Sequence, residues 1–235
     1  MKPILVSILF SISACGGSDL EPGAGDDPGD GTSTLTVSGT VSASPRLSNA
    51  RNAGDFETEF TVHVERAGQP VTTGIVEVTS QSGTIALTYD PNNNNGRWRA
   101  NAPGYDEVYI LDVEDGADNL LGVRVDGPAI HYFTAPMSGE NVDSTMPLPV
   151  AWSSPDDADS ASVRADNIDD VAIDDTGSYL LAPGALKAKK DEAETNELRL
   201  RRTNRVTPAG GLVGSEWTVT ISNRIEVVAL PNPAL

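Results

Sequence analysis

Two stretches of this chain alternate with a period of two, and that alternation narrows the fold more than any other feature. Leu35, Val37, Gly39, Val41 and Ala43 interleave with Thr36, Ser38, Thr40, Ser42 and Ser44. Phe56, Thr58, Phe60, Val62 and Val64 share a face opposite Glu57, Glu59, Thr61, His63 and Glu65. Successive side chains of a strand point to opposite faces, so each stretch shows one face to a core and one to water. Similar runs recur near residues 71–79, 84–89, 97–101, 107–113, 120–125 and 130–134. They are punctuated by turn signals such as Gly68-Gln69-Pro70, Ser82-Gly83, Pro103-Gly104, Asp115-Gly116 and Gly127-Pro128. Short strands at this spacing, with no helical period among them, predict a β-sandwich and not alternating β and α units.

The pattern lapses over 136–145 and restarts with Leu148, Val150 and Trp152. Strands are expected near 148–152, 161–165, 178–181, 197–202 and 216–230, the last bent near Asn223. One helical turn is expected at Pro183–Lys187, extended through 189–194. The predicted fold class is all-β: two tandem antiparallel β-sandwich domains, 35–135 and 146–235, separated by a junction at 136–145. Apolar residues make up 38% of the chain and glycine adds 22 residues, an ordinary globular share, so a packed core is within reach.

Two motifs carry a resemblance. Gly68-Gln69-Pro70-Val71, then Val76-Glu77-Val78, Gly96-Arg97-Trp98 and Pro103-Gly104-Tyr105, resemble the rhythm of bacterial immunoglobulin-like and transthyretin-like modules, with Trp98 where Tyr is usual. Leu148-Pro149-Val150-Ala151-Trp152-Ser153-Ser154-Pro155 is similar to the early Trp-bearing strand of fibronectin type III-like modules. The resemblance implies sandwiches and no particular activity.

The N-terminus reads as an address. Lys2 precedes an apolar run from Ile4 to Ile12, too short to cross a bilayer as a helix, as in a signal peptide. Ile12-Ser13-Ala14-Cys15 resembles the bacterial lipobox. That resemblance implies a signal peptide at 1–14, cleavage before Cys15, and a diacylglyceryl group on its thiol. Gly16, where Asp would mark inner-membrane retention, implies the outer membrane if the cell has one. Cleavage after Ser13 by ordinary signal peptidase stays open, with Ser11 three residues back. Cys15 is the only cysteine, so no intrachain disulfide is available. Residues 15–34 are rich in Gly, Pro and Asp with almost nothing apolar to bury, which predicts a disordered acidic tether.

Charge restricts the partners. The chain carries 16 Lys plus Arg against 34 Asp plus Glu, a net charge of -18. Loss of 1–14 removes Lys2 and no acid, giving 15 minus 34, or -19. Such a surface repels phosphate backbones and anionic lipid surfaces alike, so nucleic acid is not an expected partner; the membrane through a lipid anchor, an envelope protein or a glycan are.

Candidate chemistry is sparse. His63 sits among Glu57, Glu59 and Glu65 and reads as a charge-compensating surface residue; His131, beside Tyr132 and Phe133, reads as a half-buried strand residue. The chain lacks H-E-x-x-H, G-x-S-x-G and both glycine-rich phosphate loops. Asp90-Pro91-Asn92-Asn93-Asn94-Asn95-Gly96 approaches a calcium loop but fails in either register: one puts Asn95 where Gly is required, the other opens on Pro91. The acidic stretch 153–176, with eight Asp against Arg164, reads as a solvated loop, or as carboxylates between strands that could take Ca²⁺. Lys187, Lys189, Lys190, Arg199, Arg201, Arg202 and Arg205 crowd one segment; they either neutralise that acidic loop or meet an anionic glycan. Trp152 and Trp217 are in phase with core positions, whereas Trp98, between Arg97 and Arg99, is the candidate sugar-stacking platform. The expected function is a non-enzymatic envelope lipoprotein serving as spacer, scaffold or adhesion-like module, with no cofactor. The alternative is a carbohydrate- or Ca²⁺-dependent binding module using Trp98, Arg199 and Arg201, and the third reading is an envelope hydrolase.

Overall fold

A computed structural model describes residues 20–92 and 97–235. The described residues form strands β1 (Leu35–Pro45), β2 (Phe56–Arg66), β3 (Gln69–Pro70), β4 (Ile75–Ser80), β5 (Gly83–Ala86), β6 (Thr88–Asp90), β7 (Arg97–Pro103), β8 (Val108–Asp115) and β9 (Asp118–Asp126). Then follow β10 (Tyr132–Ala135), β11 (Asn141–Val142), β12 (Leu148–Ser153), β13 (Ser160–Ala165), β14 (Ile168–Ile173), β15 (Ser178–Leu181), β16 (Glu194–Val206) and β17 (Glu216–Ala229). One 3-10 turn, Ala53–Asp55, leads into β2. The protein is an all-β fold, as the alternation predicts.

One long sheet, in the order β14-β13-β16-β17-β1-β2-β7-β6, runs through the whole molecule. A four-stranded sheet, β5-β4-β8-β9, closes a first core around Phe60, Tyr109, Leu111 and Trp217. A three-stranded sheet, β10-β12-β15, closes a second core around Phe133, Trp152, Leu198 and Leu200. Among the described residues, pairing is antiparallel except where β17 runs parallel to β1, from Ser38↔Glu216 to Ala43↔Ile221, and to β11.

The expected organisation is altered at three places. First, β17 belongs to both cores: Trp217, Val219 and Ile221 fill the first, and Ile225, Val227 and Ala229 the second. A boundary at 136–145 therefore does not separate two self-contained chain segments; β11 within it docks on β17 beside the second core. Second, 21–34 is not a free tether but a strap along the outer edge of β9, with paired backbone bonds between Asp27 and Arg124 (2.8 and 3.1 Å) and between Asp30 and Leu121 (2.9 Å each). Gly23 and Gly25 donate to Asp126 Oδ2, Thr32 to Asn119 Oδ1 and Thr34 to Asp118 Oδ1. Third, 183–187 forms turns and not a helical turn, because its backbone groups are taken by distant partners. Gly184 N donates to Ser144 O, and Asn196 both accepts from Lys187 N (2.6 Å) and donates to Lys187 O (2.9 Å).

Candidate functional site

β16 carries Leu198, Leu200 and Arg202 on one face, and all three are fully buried. The strand's period thus drives a guanidinium into the interior where the two cores meet. A buried charge is tolerated only when paired and hydrogen-bonded, and Arg202 meets both conditions. Its Nε donates to Asp175 Oδ2 at 2.8 Å, and Nη2 lies 2.7 Å from the same oxygen. Nη1 donates to Ala129 O at 3.0 Å, and Nη2 also reaches Asp156 O and, at 3.1 Å, Asp156 Oδ1.

The two carboxylates are held in turn by the second core and by the segment that links β9 to β10. Asp175 Oδ1 accepts from Trp152 Nε1 at 3.2 Å, and its Oδ2 accepts from Ala158 N at 2.8 Å. Asp156 Oδ2 accepts from Ala129 N at 3.1 Å. Burial alone would raise the Asp175 carboxyl, but the bonds from Arg202, Ala158 and Trp152 outweigh it and hold the group below its ordinary value.

The linking segment 127–133 is pinned along its length. Tyr105 OH donates to Pro128 O at 2.7 Å, and Asn204 Nδ2 donates to Asp126 O at 2.7 Å. Asn223, fully buried on β17, donates to both Ala50 O and His131 O at 2.7 Å and accepts from Ala50 N. Asn49 exchanges two bonds with the backbone of Phe133. His131 is wholly buried, deeper than the half-buried position the sequence suggests. Its Nε2 lies 3.3 Å from Leu200 O, and burial, helped by the Arg202 charge, pushes its imidazole down to about 4. Every nitrogen of Arg202 is engaged within the protein, so the cluster is chemically a fastener: it joins β16, the β9–β10 linker and the acidic loop, and offers no open donor to a substrate.

The residues singled out by sequence do not converge. Trp98 is 7% exposed, donates its indole N–H to Val71 O at 3.1 Å and stands edge-on to Tyr89, so no ring face is open to a sugar. Arg199 pairs with Glu197 at 2.7 Å and Arg201 with Asp170 at 3.2 Å, on the solvent face of β16. Lys189 bridges Glu192 and Glu194, and Arg205 meets Glu216, so these members of the basic segment answer local carboxylates and form no common patch. The acidic stretch is largely structured: Ala161↔Ile173 to Ala165↔Ile168 make a β13–β14 hairpin. Among the described residues, no group of three or more His, Cys, Asp or Glu is placed to hold a metal ion. His63 Nε2 lies 2.8 Å from Glu65 Oε1, in keeping with a charge-compensating role. Cys15 and Asn93–Gly96 of the calcium-like loop lie outside the described residues.

No family model matches the chain, and no curated protein matches it. Among solved structures, it is similar to the fibronectin(III)-like modules of Clostridium thermocellum CbhA, at 14% identity over 83% of this chain and 96% of that one, with a TM-score of 0.27. It is also similar to the central fibronectin-III array of RIM-binding protein, at 10% identity over 88% and 71%, with a TM-score of 0.25. The β-sandwich is defined by the protein's own sheets and the two cores they enclose.

Proposed function

We infer that this is a non-enzymatic envelope lipoprotein, anchored through Cys15, whose fused double sandwich is a stiff scaffold that holds its surfaces at a fixed geometry near the membrane. The observation that carries this reading is the shared strand β17 together with the buried Arg202–Asp175–Asp156 fastener. Independent sandwiches on a polar linker would move relative to one another, as is the default for small interdomain contacts. Here thirteen residue pairs between β16 and β17, from Glu194↔Ala229 to Val206↔Trp217, run unbroken past the junction. The anchor and its extracytoplasmic site rest on the lipobox resemblance, and the choice of the outer membrane on Gly16. Detergent-phase partitioning tests the anchor: the full-length protein should enter the detergent phase and Cys15→Ser should stay in the aqueous phase. Equal partitioning, or a mature N-terminus other than residue 15, overturns it.

A further inference from the structure

The strap fixes where an N-terminal anchor leaves the body. Its C-terminal end, Thr34, is bonded to Asp118 at the far tip of the first core, and its N-terminal end lies beside Asp126. Arg124 Nη2 donates to Glu21 O at 2.6 Å, and Asp126 N donates to Asp26 Oδ1 at 2.9 Å. Asp126 O in turn accepts from Asn204, where the first core meets the junction. The chain therefore emerges at the waist of the molecule, not at an end.

Only six Cα steps separate Cys15 from Glu21, a reach of at most roughly 21 Å. From Asp126 to the Asp118 tip, the eight residue steps of β9 span roughly 27 Å. Toward the other end, Asn204 is level with Val219, and the ten steps to Ala229 span roughly 34 Å. Either tip lies farther from the exit point than the anchor can reach. A disordered 15–34 tether would have imposed no such limit.

We propose that the anchored protein lies over on the bilayer, held at its waist with the β9 strap side toward the lipid, and does not stand on either end. This rests on the anchor reading above, and the test separates the two. Single cysteines are placed at the ends, Val213→Cys in the exposed β16–β17 loop and Met146→Cys in the exposed turn before β12, and labelled with a fluorescent donor. The full-length protein is reconstituted in phosphatidylcholine vesicles that carry an acceptor on the lipid headgroup. Energy transfer should be comparable from both ends, although the length of β17 between them is roughly 44 Å. Inserting about twenty Gly/Ser residues between Ser18 and Asp19, which lengthens the reach without touching the strap, should lower transfer at both ends. Strong transfer from one end with the other at the acceptor-free level overturns the orientation while leaving the anchor intact. An insertion without effect overturns the claim that the short reach sets the orientation. Protein that fails to bind the vesicles, behaving as Cys15→Ser does, overturns the anchor and the orientation with it.

Discussion

Truncating Trp152 to Ala should lower the melting of the entire protein and not that of the second core alone. Trp152 is 4% exposed, lies opposite Phe133 across β10–β12, and donates its indole N–H to Asp175, the main partner of Arg202. Deleting a buried Trp side chain costs about 3 to 5 kcal/mol, a large share of the roughly 5 to 15 kcal/mol that holds a domain together. For a chain of this size each kcal/mol shifts the midpoint by about 2 to 4 °C, so a drop of about 6 to 20 °C follows. The loss is shared because the first core cannot keep Trp217, Val219 and Ile221 in place while the rest of β17 unravels. Doing so would cut the β16–β17 ladder next to Asn223, whose amide bonds to Ala50 and His131 would be stranded in the interior. Scanning calorimetry should show one endotherm in wild type and one, displaced downward, in Trp152→Ala. Two transitions in the variant, the upper at the wild-type temperature, would show that the cores unfold separately and that the shared strand does not couple them.

Arg202→Ala leaves the Asp175 carboxylate, whose side chain is 5% exposed, without its cation, and should cost about 3 to 5 kcal/mol in urea unfolding. The double change Arg202→Met with Asp175→Asn should recover much of that, and an equal loss in both would refute the pairing account. Gly39 sits on β1 against the six-membered ring of Trp217, so Gly39→Val should destabilise by about 1 to 3 kcal/mol through overpacking; an unchanged melting temperature would mean the ring is free to move. His131 is held neutral in the fold, with its imidazole lowered from 6.5 to about 4, so the unfolded chain binds the extra proton in between. Stability should therefore fall as pH drops through that window, by up to about 3 kcal/mol, and His131→Leu should flatten the slope in urea titrations at pH 7 and 4.5. Asp175, with its lowered carboxyl, adds an acid loss that sets in as pH falls toward its unfolded value of 3.8 and grows below it, so the difference between wild type and His131→Leu, and not the wild-type slope alone, reports the histidine.

The first core was readable because its strands have one wet face. β1 and β2 alternate cleanly, and their inward residues are buried almost without exception. β14 was unreadable: it is an edge strand, Asp169, Asp170, Val171 and Ala172 are all exposed, and without a buried face there is no alternation to detect. Period-two patterning marks β17 as a long strand, but it says nothing of which strands pair with it, so one strand serving two cores looks like two tandem domains. Two signals in the sequence bore on the candidate site. Arg202 keeps the phase of Leu198 and Leu200, which marks it as an inward cation needing a buried partner. Trp98 is out of phase with its flanking arginines, which marks it as a core residue and not an exposed platform.

The strap shows why composition misleads at the N-terminal segment. Low hydrophobicity argues for disorder only when order must be offset by burying side chains, and here the backbone does the binding. β9 is the last strand of its sheet, with a row of amide and carbonyl groups on its outer edge that must be paired or hydrated. The approach is too close for ordinary residues: a Cβ on Gly29 would collide with Leu121 O, and one on Gly31 with the carbonyl of Asn119. Both glycines also hold positive φ, +69° and +117°, which an L side chain resists. The glycines that read as freedom are thus what let the segment lie flat on the edge. The aspartates act as fasteners, since Asp126, Asp118 and Asp26 each accept a backbone N–H across the contact. An edge occupied in this way is also closed to pairing with another chain, so the N-terminal segment serves as the cover of the strand it lies against.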